Sequence, residues 1–521
     1  MVRYGRASGC ARNRMTKTSR GGGAYPAAWH RGPSSRWRAT HYPLITKPGS
    51  RLCRAPYPEA MMNTTGRVSP ASLLTALILA ITAFQLALSM TIPALPAIIA
   101  GLGGDTGAIG LAQALFALAG AVATVFLPLS DRFGRRRYLI AALVAGGLGA
   151  LLCALATEPG LFTAGRVLQG FGVVALPLSN ILTHQNLPPA RFGRALGLLS
   201  MVNLGVSGAD ALLAGWLADT YGHRIIFWIM LGFQVVTAAA VTRLLPADAP
   251  DRSRRPDWPG MVVLALGVVA LLVGISNGST WGWTSPATLG ALAGGLVLLT
   301  AFVVVEKRAA RPMVPVGRLR SRRTWPLLLV PIFAMGALFG LTVFVLPLYG
   351  QNAQIGLGMS ALTFAALISV PSSVLNCVCA PIGGALALRL GWRRLLLLGM
   401  GGMVAGMIAL TAFLPVTWIV VAAAACVGAL FFGFAGTAAN GLAVLLSPRE
   451  SASFLPAMMS CAFSIGAALG VSVSVSMLTL LGSATQGAFT ATVGVLTAMS
   501  VLAMLAAVLV PSPVPAERVP A

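Results

Sequence analysis

The chain has 521 residues, of which 57% are hydrophobic and only 9% are charged, and its mean hydropathy is +0.83. A soluble protein of this size needs polar groups to cover its surface, so this composition excludes a soluble domain. The apolar stretches are long and do not alternate with polar residues, and in lipid a helix satisfies its own backbone hydrogen bonds. The sequence therefore predicts an all-α polytopic membrane protein.

The net charge of +25 is distributed in a way that argues against nucleic-acid binding. Thirteen of the 37 Lys and Arg residues lie in residues 1–70, and most of the others lie in short loops between apolar stretches. Basic residues in short loops keep those loops in the cytoplasm. We interpret residues 1–70 as a basic, disordered cytoplasmic tail. Met61 and Met62 precede the first apolar stretch and are candidate translation starts, in which case the tail is absent from the mature protein.

Fourteen apolar stretches follow the tail and predict fourteen membrane spans. If the N-terminus is inside, the loops after even-numbered spans hold most of the Arg and Lys residues, and Asp105, Glu158 and Asp219 lie on the other side. We expect a multi-pass protein of the inner (plasma) membrane with both termini in the cytoplasm. The approximate limits of the spans are 72–100, 107–129, 138–157, 161–186, 195–219, 224–244, 259–280, 286–305, 325–349, 359–387, 395–414, 418–446, 453–482 and 488–510.

Residues 384–394 echo residues 127–137, with Leu388 at the place of Asp131. Both segments follow the second span of a six-span set if spans seven and eight are an insertion. Two parallel six-helix halves place a binding site at their interface near the midplane. The alternative is a chance likeness between two short basic loops. The expected division is an N-terminal bundle (71–247), two inserted spans with linkers (248–324), a C-terminal bundle (325–511) and a short cytoplasmic tail (512–521).

Three short motifs give the chain a recognisable pattern. The loop after the second span reads Leu-Ser-Asp-Arg-Phe-Gly-Arg-Arg-Arg over 129–137, the fourth span contains Arg166, Gln169, Gly170 and Gly172, and 94–98 reads Ala-Leu-Pro-Ala-Ile. These motifs resemble the major facilitator superfamily, in particular its 14-span drug:proton antiporter branch (EmrB/QacA-like). Leu127 stands where the family's loop motif begins with Gly.

The resemblance implies a major facilitator fold of two six-helix bundles plus two inserted helices. It implies proton-coupled efflux of small amphipathic or aromatic compounds by alternating access, as in multidrug resistance, by a monomer that could work with an outer-membrane or periplasmic adaptor. A proton symporter or a narrow exporter of one metabolite is the alternative. A membrane-embedded enzyme would need clustered His, Asp or Cys residues at membrane depth, and it is disfavoured because there are only four His residues, two of them in the tail. No nucleotide-binding motif is present, so ATP-driven transport would need a partner protein. We expect no cofactor and no metal.

The resemblance also implies a conformational latch in the charged loop, formed by Asp131, Arg132, Gly134 and Arg135. A carboxylate and several guanidiniums can form charge-assisted hydrogen bonds in one conformation and break them in another. The alternative is a topology anchor that only keeps the loop inside. We expect Arg136 and Arg137 to be anchors of that kind.

Asp210 is the only acidic residue well inside a predicted span, and an ionisable group at that depth is a functional candidate. From the helical rise per residue, Asp210 lies roughly 13 Å from one membrane face, and Arg166 lies roughly 7 Å from the same face. We therefore expect an Asp210–Arg166 pair whose protonation couples to transport. A static pair, or an Asp in a wet cavity without proton coupling, is the alternative.

Amide side chains inside the spans are candidates for a substrate cavity. Amides in membrane helices either line a cavity or hydrogen-bond between helices. The candidates are Gln85, Gln113, Gln169, Asn203, Asn376 and Asn440.

Overall fold

The computed structural model describes residues 69–187, 189–246, 257–308, 321, 324–414, 416–446, 454–482 and 485–511. The expectations about the two tails and about translation starts at Met61 or Met62 concern residues outside these ranges. All the regular secondary structure in the described part of the chain is helical, as the composition predicts.

The helices are numbered here in chain order. The first eleven are α1 (Pro70–Ser89), α2 (Leu95–Gly101), α3 (Thr106–Val125), α4 (Leu129–Phe133), α5 (Arg135–Leu155), α6 (Pro159–Gly170), α7 (Ala175–Asn186), α8 (Pro189–Tyr221), α9 (Arg224–Leu244), α10 (Trp258–Trp281) and α11 (Pro286–Arg308). The others are α12 (Trp325–Phe339), α13 (Leu346–Gln351), α14 (Ala361–Phe364), α15 (Val370–Leu390), α16 (Trp392–Ala412), α17 (Thr417–Ala429), α18 (Thr437–Leu446), α19 (Phe454–Leu481) and α20 (Gln486–Leu509).

Thirteen helical stretches among the described residues are long and apolar enough to cross a membrane. In order along the chain, they correspond to every predicted span except the fifth. The 33-residue helix α8 covers the fifth predicted span but is not one of the thirteen.

Several helices begin at residues whose side chains accept hydrogen bonds from the otherwise unpaired N–H groups of the first turn. Ser69 accepts a hydrogen bond from the backbone N–H of Ser72 and is followed by Pro70, and Asp105 accepts one from Ala108. Gly134 and Gly391 have positive φ values of 95° and 89°, which glycine adopts without strain, and each lies between two helices.

Several spans are irregular in the middle. A 3₁₀ segment over Phe171–Val174 joins α6 to α7. We call helices α1–α9 the first part of the chain and helices α12–α20 the second part. In the second part, π-helical segments over Gly340–Val345, Ala365–Ser369 and Leu430–Gly436 interrupt three spans. Such π segments are frequent at functional sites because they redirect side chains.

Glycines allow the closest helix contacts. A Cβ atom on Gly470 in α19 would overlap with the carbonyl oxygen of Gly336 in α12, and α5 and α6 approach in the same way at Gly149 and Gly165. Close backbone approach of this kind provides packing energy where lipid offers no hydrophobic drive.

Helices from the first and second parts of the chain meet along two seams. In one, α3 packs on α19, where Gly110 lies against Val475. In the other, α8 packs on α14 and α15, and the hydroxyls of Ser207 and Ser373 are 2.8 Å apart. Helix α10 packs on both α3 and α19, so it covers the first seam from outside.

The ends of the helices define two faces. We call the end that carries the α4–α5 junction (residues 132–137) and Arg389–Arg394 the arginine face, and the end that carries Asp105, Asp219 and Asn352 the opposite face. This separation of charge agrees with the loop pattern in the sequence.

Candidate functional site

A buried arginine lies at the centre of the first part of the chain. The side chain of Arg166, in α6, is 1% exposed. Its Nε and Nη2 atoms donate to Gln113 Oε1 at 3.1 and 2.6 Å, and its Nη1 atom donates to Gln169 Oε1 at 2.6 Å and to the carbonyl of Ala87 at 2.9 Å. Its Cζ atom lies 4.0 Å from the ring centroid of Phe116, in a cation–π contact. The amides and the ring therefore solvate this charge.

The buried acid Asp210 has a different partner. Its Oδ2 atom accepts a hydrogen bond from the Ser89 hydroxyl at 2.5 Å, and its Oδ1 atom is buried without a partner. The side chain is 3% exposed. A buried carboxylate oxygen without a partner carries a desolvation cost that protonation relieves.

Arg166 and Asp210 do not form the ion pair that we expected. Between pairs of described residues, a salt bridge joins Asp131 to Arg135, and none joins Arg166 to Asp210. The reason is that the two glutamines and Ala87 already occupy the donors of Arg166. Both residues instead contact the end of α1, two residues apart at Ala87 and Ser89. The helical rise predicted their depth but not the direction in which each side chain points.

A cavity of about 560 Å³ lies between the first and second parts of the chain. Its lining includes α1, α3, α8, α15 and α19, and all three π-helical segments contribute to it. Six phenylalanines and many hydroxyl and amide groups line it, and no Asp, Glu, Lys, Arg or His is among the described lining residues. The phenylalanines are Phe84, Phe116, Phe339, Phe364, Phe432 and Phe463.

Four of the six predicted amides line this cavity. They are Gln85, Asn203, Asn376 and Asn440. Gln113 and Gln169 are not among its lining residues, because their oxygens hold Arg166. Sequence reasoning missed the hydroxyl groups of the wall, such as Ser89, whose short side chains are equally common in packed membrane helices.

The opposite face of the cavity is closed by contacts between the two parts of the chain. The Asp219 carboxylate accepts hydrogen bonds from the backbone N–H groups of Ala361 at 3.1 Å and Leu362 at 2.9 Å, at the N-terminus of α14. The Gln351 amide donates to the carbonyl of Pro93 at 2.8 Å. Negative charge at a helix N-terminus is favourable. Asp219 was assigned only to a loop by the sequence, and the structure identifies it as a closing contact.

The cavity extends further toward the arginine face. Its lining reaches Thr124, Asn440 and Ser460, which lie within about two helical turns of the arginine-face ends of their helices. The structure therefore shows the conformation in which the opposite face is closed.

The charged loop forms a compact structure at the arginine face. Asp131 accepts a hydrogen bond from Arg135 Nη2 at 2.6 Å, and the Cζ atom of Arg132 lies 6.0 Å from the ring centroid of Phe133. Gly134, with its positive φ, ends α4 and begins α5. These contacts hold the loop in shape; whether Asp131 acts as a latch remains a prediction.

Arg136 does more than anchor topology. Its Nη2 atom donates to the carbonyl of Thr242, in the last turn of α9. In the segment that echoes this loop, Arg393 occupies the position of Arg136, and its Nη2 atom donates to the carbonyl of Val508 at 2.9 Å, in the last turn of α20. Two equivalent arginines therefore cap the last helix of each part of the chain, which favours a true repeat over chance likeness.

A cavity between two parts of a multi-span helical protein, closed at one face, is the arrangement expected of a membrane transporter. The sequence matches the Major Facilitator Superfamily over residues 77–471 and, in an overlapping second match, over 372–521. The chain belongs to this family.

Similar proteins agree with that assignment. The chain is 30% identical over 445 residues to the "Uridine/deoxyuridine transporter" of Lactococcus lactis subsp. cremoris (strain MG1363), which covers 82% of this chain and 91% of that protein. It is 27% identical over 355 residues to the "Multidrug transporter protein MdtP" of Bacillus subtilis (strain 168), which covers 67% of this chain and 64% of that protein.

Solved structures show the same fold. The crystal structure of the nucleoside transporter NupG superposes with a TM-score of 0.59 at 11% identity, covering 84% of this chain and 99% of that chain. The POT family transporter PepTSo superposes with a TM-score of 0.62 at 15% identity, covering 84% of this chain and 96% of that chain.

Proposed function

We propose that this protein is a proton-coupled transporter of small, uncharged aromatic solutes of the nucleoside type. The observation that carries the proposal is the cavity lining, which combines six phenylalanines with amides and hydroxyls and has no charged side chain among its described residues. Aromatic rings stack on planar bases, and amides and hydroxyls can pair with a base and a sugar. The similarity to a protein named as a uridine/deoxyuridine transporter supports the same substrate class.

A multidrug-type efflux pump is the second candidate. The phenylalanine-rich part of the cavity suits amphipathic compounds, and one of the similar proteins is named as a multidrug transporter. The absence of a carboxylate from the described lining argues against cationic drugs.

The proposed architecture has fourteen spans, with α8 as the fifth. Two six-helix bundles are related by the repeat around Arg136 and Arg393, and α10 and α11 form the inserted pair. With the arginine face in the cytoplasm of a cell whose inner (plasma) membrane holds the protein, both termini are cytoplasmic. The conformation described here then opens inward. We keep a monomer, with or without an adaptor, as the expected assembly.

Asp210 is the proposed proton carrier. It is buried, one of its oxygens has no partner, and its hydrogen-bond donor Ser89 lines the cavity. Loss or gain of a proton there changes a contact between α1 and α8, both of which line the cavity. Asp131 and Arg135 are the proposed latch at the arginine face, together with Arg132 and Gly134.

The test is transport by the full-length protein in proteoliposomes with an imposed pH gradient. We expect uridine to cross faster with the gradient than without it, and an uncharged amphipathic dye to cross slowly. Asp210→Asn should retain uridine exchange but lose the response to the gradient, with Asp105→Asn, at a helix start on the opposite face, as the matched control. Gradient-driven transport of the dye but not uridine would favour the multidrug alternative, and a gradient response that survives in Asp210→Asn would remove Asp210 from the coupling role.

A further inference from the structure

An unsatisfied amide faces the cavity from the second part of the chain. Asn376 lies in α15, is 9% exposed and lines the cavity, and its Oδ1 atom has no hydrogen-bond partner. A buried acceptor without a partner is unfavourable because it has lost its hydrogen bonds to water. A ligand that donates to this atom removes that cost.

The neighbouring groups do not satisfy the amide. The Ser372 hydroxyl donates to the carbonyl of Ile368 at 2.7 Å, and the hydroxyl of Ser373 pairs with that of Ser207. Across from the amide is Gly428, where even an added Cβ atom would stay 3.8 Å from Asn376 Oδ1. Gly428 therefore places no side chain against the amide, and rotation about the terminal torsion angle of Asn376 can turn the buried oxygen toward the cavity.

An aromatic wall lines the same cavity from the first part of the chain. Phe84 in α1 and Phe116 in α3 are parallel, with an interplanar angle of 6° and ring centroids 6.2 Å apart. The guanidinium of Arg166 lies over Phe116 and draws electron density toward itself. This fixed wall suits stacking against a planar heteroaromatic ring.

We propose that Asn376 reads the hydrogen-bonding edge of the substrate's base. A ring N–H of the base donates to Asn376 Oδ1, the adjacent base carbonyl accepts from Asn376 Nδ2, and the ring packs against the Phe84–Phe116 wall. An amide offers a donor and an acceptor side by side, which matches a lactam or imide edge. The assignment rests on the proposed function, and it narrows the substrate to bases that carry an unsubstituted ring N–H next to a carbonyl.

Asn376 belongs to the second part of the chain, and Phe84 and Phe116 belong to the first. A base bound in this way therefore contacts both parts of the chain. A ligand that bridges both parts can stabilise the conformation in which they are close. Base recognition and conformational change are then coupled through the same molecule.

The test compares uridine with N3-methyluridine, which lacks the ring N–H, in proteoliposomes of the full-length protein. We expect the wild type to transport N3-methyluridine at least tenfold less efficiently. Asn376→Leu has the same shape but no polar side-chain atoms. In this variant the efficiency of uridine transport should fall to that of N3-methyluridine, so that the ratio of the two efficiencies approaches one. Asn376→Asp retains an acceptor and should retain discrimination.

The matched control is Asn277→Leu, an amide in α10 that donates to its own helix at Val273 and does not line the cavity. It should keep the wild-type ratio. Equal transport of both nucleosides by the wild type, or an unchanged ratio in Asn376→Leu, would overturn the assignment alone. Absence of any uridine transport by the wild type would overturn the proposed function and this assignment with it.

Discussion

The contact between Asp219 and the N-terminus of α14 should control the opening of the opposite face. The first three N–H groups at this helix start have acceptors from two sources. Asp219 accepts from Ala361 and Leu362 across the seam, whereas Ser360 accepts from Thr363 within the same helix. Replacing Asp219 by Ala removes only the contact that crosses the seam.

The expected size of the effect follows from helix capping. Asp219 is exposed, so its contribution is that of an N-cap, about 1–2 kcal/mol. In the open conformation the two N–H groups are free to bind water, so this energy favours the closed state alone. Asp219→Ala should therefore shift the equilibrium toward opening by about 5- to 30-fold.

The assay is a distance measurement between spin labels at Thr220 and Gln354, both exposed on this face, in lipid nanodiscs. Asp219→Ala should add a population with a longer distance. Ser360→Ala serves as the control, because it weakens the same helix start without breaking the seam. Identical distance distributions in the two variants would refute the idea that Asp219 closes this face.

Three further outcomes follow from other contacts. Arg136→Ala and Arg393→Ala should each lower the free energy of unfolding by about 1 kcal/mol, because each removes a cation from a helix C-terminus. Thermal unfolding in detergent measures this loss. Gly470→Ala should lower the unfolding temperature more than either, since its Cβ would overlap with backbone. Burial of the His223 imidazole, and second the charge of Arg224, lower the pKa of His223 in the folded protein. Stability should therefore be full above about pH 6.5, fall between that pH and the lower folded-state pKa, and change no further below it.

Each of these outcomes has its own control. Arg137→Ala, at an exposed position, should leave unfolding unchanged. Gly384→Ala, where nothing lies within 4 Å of the added atom, should be neutral or stabilising. His223→Gln should remove the acid-dependent loss of stability. If Gly384→Ala lowered the unfolding temperature as much as Gly470→Ala does, the helix glycines would act through flexibility rather than through close packing.

The sequence predicted the spans well because hydropathy is a property of each segment alone. Thirteen helices that are long and apolar enough to span a membrane lie where the sequence placed spans. The likeness between the segments around Gly134 and Gly391 could also be recognised in the sequence, and both glycines have positive φ values. The direction of polar side chains could not be predicted in the same way. Arg166 and Asp210 lie at compatible depths, yet one is solvated by glutamines and the other by Ser89.

The shape of the cavity depended on features with no local signal. The π-helical segments that line it arise from packing between helices, and their residues read as ordinary apolar spans. Among the amides, Asn376 and Gln113 have the same chemistry, and only the fold directs one to the cavity and the other to an arginine. Contacts that join distant parts of a chain are therefore what the sequence leaves open.

The uncharged lining of the cavity has an energetic consequence for the cell. If a neutral solute crosses and one proton crosses with it or against it, each cycle carries one net positive charge inward. A membrane potential of 100 mV supplies about 2.3 kcal/mol for that charge, which corresponds to a concentration ratio of about 50. Voltage alone could then drive the cycle in a cell whose internal and external pH are equal.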